Sequence, residues 1–282
     1  VPPPARTFDF HCHSNISDGF LPPTHLVEQA AKQGVRHLAL TDHDDVGGLA
    51  EARAQASALD IRFTNGIEIS IEWEGISIHI LGLDFDPATL ELLNGLEWIR
   101  DGRVKRAKKM GQILEELGIP GAYEGALRHA SNPALISRAH FARYLVEIGM
   151  FSEPQKVFKR YLSPGKPGYV CHETAQLPDC LNWLKAANGV AVVAHPGRYP
   201  MRAGQMQRFL SEFKDLGGEA IEVSSNGYAT EHIRHFARLA REFGFYASGG
   251  SDFHGPPESY ARLGEFAPIP EDLPLVTKLF KD

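Results

Sequence analysis

The sequence predicts an α/β fold. Short β-like runs alternate with amphipathic helical stretches at both ends of the chain. One late run, Val190–Ala194, is almost continuously apolar, as a strand buried on both faces should be. Strands separated by helices imply parallel pairing through crossovers.

Thr7–His13 reads as a strand and Thr24–Gln33, after Pro22-Pro23, as a helix. His37–His43 reads as the next strand and Gly47–Leu59 as the next helix. Ile61–Trp73 and Ile76–Phe85 form a strand pair turned at Glu74-Gly75. The alternation resumes with strands at Gly189–His195, Ala220–Ser225 and Phe245–Ser251, separated by helices at Ala203–Leu216 and Thr230–Phe243. Between them, residues 91–168 break the rhythm with helical patterns at Leu92–Leu117, Tyr123–Ala130, Ser137–Ile148 and Glu153–Leu162. We therefore expect a barrel from residues 1–90 and 169–282, and a helical insertion at 91–168, rich in Arg and Lys, that covers the active site.

At 282 residues and 43% hydrophobic content, the chain suits one large barrel or two smaller domains. A net charge of −6 gives no global sign of a nucleic-acid binder, so local basic clusters must carry any affinity for anions. Three scattered cysteines are too few for a disulfide framework, and a reducing cytoplasm is expected. No apolar run has the length of a membrane span. The start, Val1–Arg6, lacks the apolar stretch of a signal peptide, and its opening on Val1 suggests processing or trimming.

Chemistry-bearing residues gather at predicted strand ends, where α/β barrels build active sites. His11 and His13 share one face of a strand end, with Cys12 turned to the other face as a small core residue. Asp18 follows in Ser17-Asp18-Gly19. Thr41-Asp42-His43-Asp44 closes the second strand; Asp44 or Asp45 suits a helix cap, whereas His43 does not. Glu68 interrupts an apolar run between Ile67 and Ile69, where a carboxylate needs a cation or a salt-bridge partner, and His79 lies in the adjoining strand. His195 ends the apolar run at Val190–Ala194, and Asp252 and His254 share a face beyond a glycine-rich strand end. Any one of these has an ordinary structural explanation. Jointly, six histidines and three acids at strand ends point to a hydrolytic metal cluster. Their mixed nitrogen and oxygen donors suit Zn, Mn or Fe.

With these motifs in place, the chain resembles the polymerase and histidinol phosphatase superfamily of metallophosphoesterases, the PHP family. The likeness runs through Asp9-Phe10-His11-Cys12-His13, Ser17-Asp18-Gly19, Thr41-Asp42-His43-Asp44, Gly66-Ile67-Glu68, His79, His195 and Ser251-Asp252-Phe253-His254. It implies a distorted seven-stranded (β/α) barrel, the PHP fold, with two to three divalent ions (Mn2+, Zn2+ or Fe2+). One ion would take His11, His13, Glu68 and Asp252; a second would share Glu68 and add His79 and His195; a third would use Asp18, His43 and His254. The insertion segments Ser137–Val146, Phe158–Leu162 and Gly165-Lys166-Pro167 are similar to bacterial PHP proteins that act on nucleotides.

The expected reaction removes the 3′-phosphate of a nucleoside 3′,5′-bisphosphate to leave a 5′-monophosphate. Two neighbouring ions can activate a water, so no side-chain nucleophile is nominated. Arg138, Arg160, Lys166 and Arg198 are candidates for gripping phosphate; a solvated helix face explains Arg138 and Arg160 equally well, and Arg198, just past His195-Pro196, is better placed. Tyr199, Asn226 and Tyr228 are weaker candidates for base or ribose contacts. The alternatives are a 5′→3′ exoribonuclease on short RNA, a histidinol phosphatase, and a catalytically silent scaffold, which the full ligand set disfavours. Amidohydrolase-like C–N hydrolysis is disfavoured by Glu68 standing where those barrels bridge with lysine. No obligate protein partner is expected.

Overall fold

The computed structural model describes residues 7–171, 174–255 and 261–281. The N-terminal stretch read above for a targeting signal lies outside the described residues.

The strands are β1 (Phe8–Asp9), β2 (His37–Leu40), β3 (Arg62–Trp73), β4 (Ile76–Leu83), β5 (Ala175–Gln176), β6 (Val190–Val193), β7 (Ala220–Ser225) and β8 (Tyr246–Gly250). Seven of them run in the order β1-β2-β3-β4-β6-β7-β8, with β5 pairing on β3. The sheet curls into a nearly closed barrel. At the closing seam, His13 N donates to Phe253 O at 2.9 Å and Asp252 N to His11 O at 2.7 Å. Gly250 sits here because a Cβ would come within 2.3 Å of the His11 Cβ.

Pairing is parallel except around β4, which is antiparallel to both β3 and β6. The Glu74-Gly75 turn reverses the chain, as expected of the strand pair it joins, and β4 then meets β6 antiparallel as well. Helices α1 (Pro23–Lys32), α2 (Leu49–Ala58), α7 (Leu177–Ala186), α8 (Ala203–Asp215) and α9 (Thr230–Phe243) accompany the barrel strands. Helix α7 and the two-residue β5 were not foreseen.

Alternation along the strands divides their side chains between two cores. Leu38, Leu40, Ile67, Ile69, Ile80, Val193 and Ile221 belong to the larger cluster, together with apolar residues of the helices. Ala39, Leu81, Leu83, Val192 and Ala220 belong to another, inside the barrel. Glu68, opposite Leu81 in the β3–β4 ladder, and Glu222, two residues past Ala220, share this inward face.

Between β4 and β5 the chain runs through α3 (Leu90–Glu116), α4 (Ala122–His129), α5 (Arg138–Glu147) and α6 (Pro154–Val157), then a π-helical turn at Phe158–Leu162. These helices have their own buried cluster, including Met110, Leu114, Phe141, Leu145 and Leu162. Arg103 of α3 ties them to the barrel through a buried ion pair with Asp44. Among the described residues, no helix is long and apolar enough to cross a membrane.

Candidate metal centre

The barrel mouth replaces apolar inward side chains with imidazoles and carboxylates. Glu68 lies at the middle of this group. Its Oε1 is 2.8 Å from His79 Nδ1 and 2.9 Å from His195 Nε2. Its Oε2 is 3.0 Å from His43 Nδ1, 3.2 Å from His13 Nε2 and 3.3 Å from His11 Nε2. Asp252 Oδ1 faces the same two imidazoles from the other side of the seam, 3.1 Å from His13 Nε2 and 3.3 Å from His11 Nε2. Further out, Asp18 Oδ1 lies 3.4 Å from His254 Nε2 and 3.9 Å from His43 Nε2.

Glu68 and His79 occupy the middles of β3 and β4 rather than strand ends. The β2–β3 ladder stops at Leu40 and Asn65, while β3 continues upward against β4. Glu68 therefore stands above the mouth although its own strand has not ended.

Three donor sets result, each with ligand atoms within 4.8 Å of one another: His11, His13, Glu68 and Asp252; His13, Asp18, His43 and His254; and His43, Glu68 and His79. All nine sequence-nominated ligands come together. The geometry differs from the resemblance in three respects: His13 and His43 each join two sets, and His195 approaches the cluster through Glu68 Oε1. The side chains fit divalent ions. Among the described residues, nine buried side-chain polar atoms lack a hydrogen-bond partner, and six belong to this cluster: His11 Nε2, His13 Nδ1, Asp18 Oδ1, His43 Nδ1, Glu68 Oε2 and His195 Nδ1. Buried polar atoms are seldom left unpaired, and a cation would satisfy several at once.

The electrostatics favour positive charge here. Burial alone would raise Glu68, yet the imidazoles of His43, His79 and His11 hold it well below the usual carboxylate range. Burial likewise opposes ionisation of Asp252, which His11 and His254 nevertheless keep low. For His13, burial works against protonation, but hydrogen bonds to Asp252 and Glu68 push it up to about 10. His43 goes the other way, to about 3, because burial dominates. The acids thus attract cations strongly, and an ion bound there would displace the proton that His13 otherwise holds.

A surrounding layer of buried acids fixes these groups. Glu222 Oε1 meets His11 Nδ1 at 2.9 Å, and its Oε2 accepts the His195 backbone N–H. Asp42 accepts from Ser14 N at 2.8 Å and from Ser17 Oγ at 2.6 Å, bracing the loop that carries Asp18. Asp9 accepts from Ser251 N at 2.9 Å and Gly264 N at 2.7 Å. Glu222 was missed in the sequence, although an acid within Ala220–Ser225 carries the same signal that marked Glu68. Asp44 is not a helix cap: it binds Ser70 N at 2.7 Å and Arg103, while α2 begins without a side-chain cap. Asp44, His195 and Asp252 have φ of 49°, 25° and 50°, backbone strain of the kind that accumulates at functional sites.

A cavity of about 300 Å³ opens beside the cluster, lined by residues including Asp18, Arg198, Asn226, Asp252 and His254. Arg198 pairs with Asp252 within it. Of the other arginines nominated for phosphate, Arg138 is half-buried against Phe158 and Tyr169. Arg160 and Lys166 are exposed, and Arg160 lies over Tyr161. Tyr199 is occupied structurally, donating to Ala194 O at 2.8 Å and accepting from His79 N at 2.9 Å. Tyr228 accepts from Gly197 N at 2.6 Å.

Comparison with known proteins agrees with this geometry. The PHP domain family model matches residues 9–162. A 3′,5′-nucleoside bisphosphate phosphatase of Chromobacterium violaceum is 47% identical over 270 residues, covering 96% of this chain and 93% of the relative. A 5′-3′ exoribonuclease of Haemophilus influenzae is 43% identical over 251 residues, 89% of this chain and 91% of its own. Among solved structures, an amidohydrolase from Chromobacterium violaceum with bound sulfate and no metal superposes with a TM-score of 0.92 at 45% identity, covering 96% of this chain and 95% of that one. A proposed metal-dependent phosphoesterase from Bifidobacterium adolescentis gives 0.86 at 27% identity, covering 100% and 99%.

Proposed function

This chain belongs to the PHP domain family, and from that premise we propose that it hydrolyses the 3′-phosphate of nucleoside 3′,5′-bisphosphates, releasing nucleoside 5′-monophosphate and phosphate. It is a metal-dependent hydrolase of phosphate esters. The observation that carries the reading is the cluster itself: three donor sets joined through Glu68, His13 and His43, beside a cavity that also holds Arg198.

His11, His13, Asp18, His43, Glu68, His79, His195, Asp252 and His254 would hold two to three ions, of Mn2+, Zn2+ or Fe2+. Bound there, the ions would supply Lewis acidity, activating water near neutral pH and neutralising phosphoryl oxygens. The chain's own part is positioning, which dominates phosphoryl transfer. Glu222 orients His11, and Asp42 braces the Asp18 loop. Arg198, which pairs with Asp252 in the cavity wall, can offer the rest of its guanidinium fork to a phosphoryl oxygen. We assign residues 91–168 as an insertion covering the centre, a reading supported by Arg143 of α5, which donates to Asp18 O at 2.6 Å. The chain's three scattered cysteines, too few for a disulfide framework, favour a cytoplasmic setting.

The exoribonuclease relatives favour a second reading, release of nucleotides from the 5′ end of short RNA, with the same centre cleaving a diester. Phosphate release by metal-reconstituted protein across nucleoside 3′,5′-bisphosphates, simple monophosphates, histidinol phosphate and short RNA tests both. Bisphosphates should be the best substrates. Equal rates on all monoesters would overturn the reading.

A further inference from the structure

A side chain interrupts the ladder between β4 and β6 at its upper end. From Leu83 opposite Val190 to Ile80 opposite Val193, the two strands hold antiparallel register. One step on, at His79 and Ala194, an antiparallel pair should exchange two backbone bonds. One of them is made, with Ala194 N donating to His79 O at 3.2 Å. In place of the other stands the hydroxyl of Tyr199. It accepts from His79 N at 2.9 Å and donates to Ala194 O at 2.8 Å. Its contact with a second carbonyl, His79 O, is longer, at 3.3 Å. Two legs thus span a gap that a single bond of about 2.9 Å would close.

The turn at Pro196–Arg198 makes this insertion possible. It folds the chain back just past β6, with Arg198 N donating to His195 O at 3.0 Å, and returns the Tyr199 ring to the strand the chain has just left. The ring meets the His195 imidazole edge-on, with centroids 5.5 Å apart. Tyr199 therefore touches both the backbone of His79 and the ring of His195.

These are the two imidazoles that bracket one oxygen of Glu68. His79 Nδ1 and His195 Nε2 lie 2.8 and 2.9 Å from Oε1, and their ring centroids stand 5.3 Å apart. One comes from β4, and the other follows β6, on opposite sides of the inserted hydroxyl. A directly bonded ladder would draw the two chains together at this step and carry both rings with them. His195 has already left strand geometry, with φ of 25°, and such a backbone persists only where its surroundings hold it.

We propose that Tyr199 is a positioning residue for the metal centre: its hydroxyl wedges the β4–β6 ladder and so sets the spacing of His79 and His195 for a divalent ion shared with Glu68. The proposal rests on the metal-dependent reading of the cluster and gives one donor pair its own control. It replaces the base or ribose contact considered for Tyr199 from the sequence, because the hydroxyl is taken up by the backbone.

Tyr199→Phe removes the hydroxyl and keeps the ring. Calorimetric Mn2+ titration of the metal-stripped full chain, beside the parent, reads the affinity of each ion. One ion per chain should bind roughly ten- to a hundredfold more weakly, the usual effect of losing a group that orients a ligand, with the others unchanged. Activity should need correspondingly more Mn2+ and return toward the parent's kcat at saturation. On a His79→Ala background, Tyr199→Phe should change the affinity of no remaining ion, because its effect passes through the spacing of that pair. Unchanged affinities in Tyr199→Phe, equal weakening of every ion, or a further loss on the His79→Ala background would overturn the proposal. A Tyr199→Phe chain that loses its circular dichroism where the stripped parent keeps its own would also overturn it, placing the hydroxyl in the framework. A parent that binds no Mn2+ would instead refute the metal reading itself.

Discussion

Glu222 Oε1 lies 2.9 Å from Nδ1 of His11, so the other ring nitrogen, Nε2, is the one turned toward Glu68 and Asp252. A carboxylate on one imidazole nitrogen fixes the tautomer and makes the other a better ligand. Glu222→Gln changes the partner with almost no change of volume. It should weaken divalent-metal affinity roughly ten- to a hundredfold while leaving the fold intact. Metal titration of the stripped protein measures this, and an unchanged affinity would reduce Glu222 to a packing role.

Removing a donor should be more severe. His11→Ala or Asp252→Asn should lower turnover by orders of magnitude after full metal reconstitution, because the cluster generates the nucleophile. Both variants should keep the far-ultraviolet spectrum of the parent. Near-normal activity in either would count decisively against a hydrolytic centre.

Arg103→Met addresses the link between the helical segment and the barrel. Among the described residues, the substitution leaves the buried Asp44 carboxylate with only Ser70 to bind it. Breaking one side of such a pair costs about 3–5 kcal/mol. Urea unfolding should show that loss, and a midpoint like the parent's would mean that water or another group replaces the guanidinium.

Two histidines outside the donor sets give a pH dependence. Burial, and then Arg62, push His37 down to about 4, while burial is also the main cause for His140, at about 4. In the unfolded chain both titrate near about 6.5. Between these values the unfolded state takes up protons that the folded state refuses, so stability falls as pH drops from about 6.5 toward 4. Above that window neither group contributes to the slope. Urea midpoints at pH 7.5 and pH 5 should differ less in a His37→Gln, His140→Gln double variant than in the parent; an identical drop would assign the acid sensitivity elsewhere.

The metal donors were legible because each breaks a pattern. Glu68 interrupts an apolar strand, and His195 ends one. Glu222 breaks a pattern equally, but the serines that follow it make polarity look ordinary there, and no histidine stands next to it in sequence. The arginines of α3 were hidden for a different reason. Residues 100–109 contain basic side chains on most faces of the helix, so periodicity does not separate the buried Arg103 and half-buried Arg106 from exposed Lys105 and Lys108. Asp44 looked like a cap because its true partners, Ser70 and Arg103, are 26 and 59 residues away. In the fold, the alternation gave the strands and flanking helices, whereas β5, only two residues long, is too short to carry any period.

The seam between the two ends of the sheet has a consequence for how the molecule is made. His11 and His13 emerge from the ribosome long before Asp252 and His254, with 239 positions separating His13 from Asp252. Until they do, the first donor set has no fourth member, and the chain cannot hydrolyse anything. Part of the centre is local, since Glu68 and His79 share one hairpin and can meet early. The rest depends on the most distant contact in the barrel, of the slow-forming kind. An ion gripped across that seam would act as a clasp, holding the two edges of the sheet together. Competence therefore arrives only once the segment carrying Asp252 and His254 has been made, and a chain cut short before it is barred from touching the nucleotide pool.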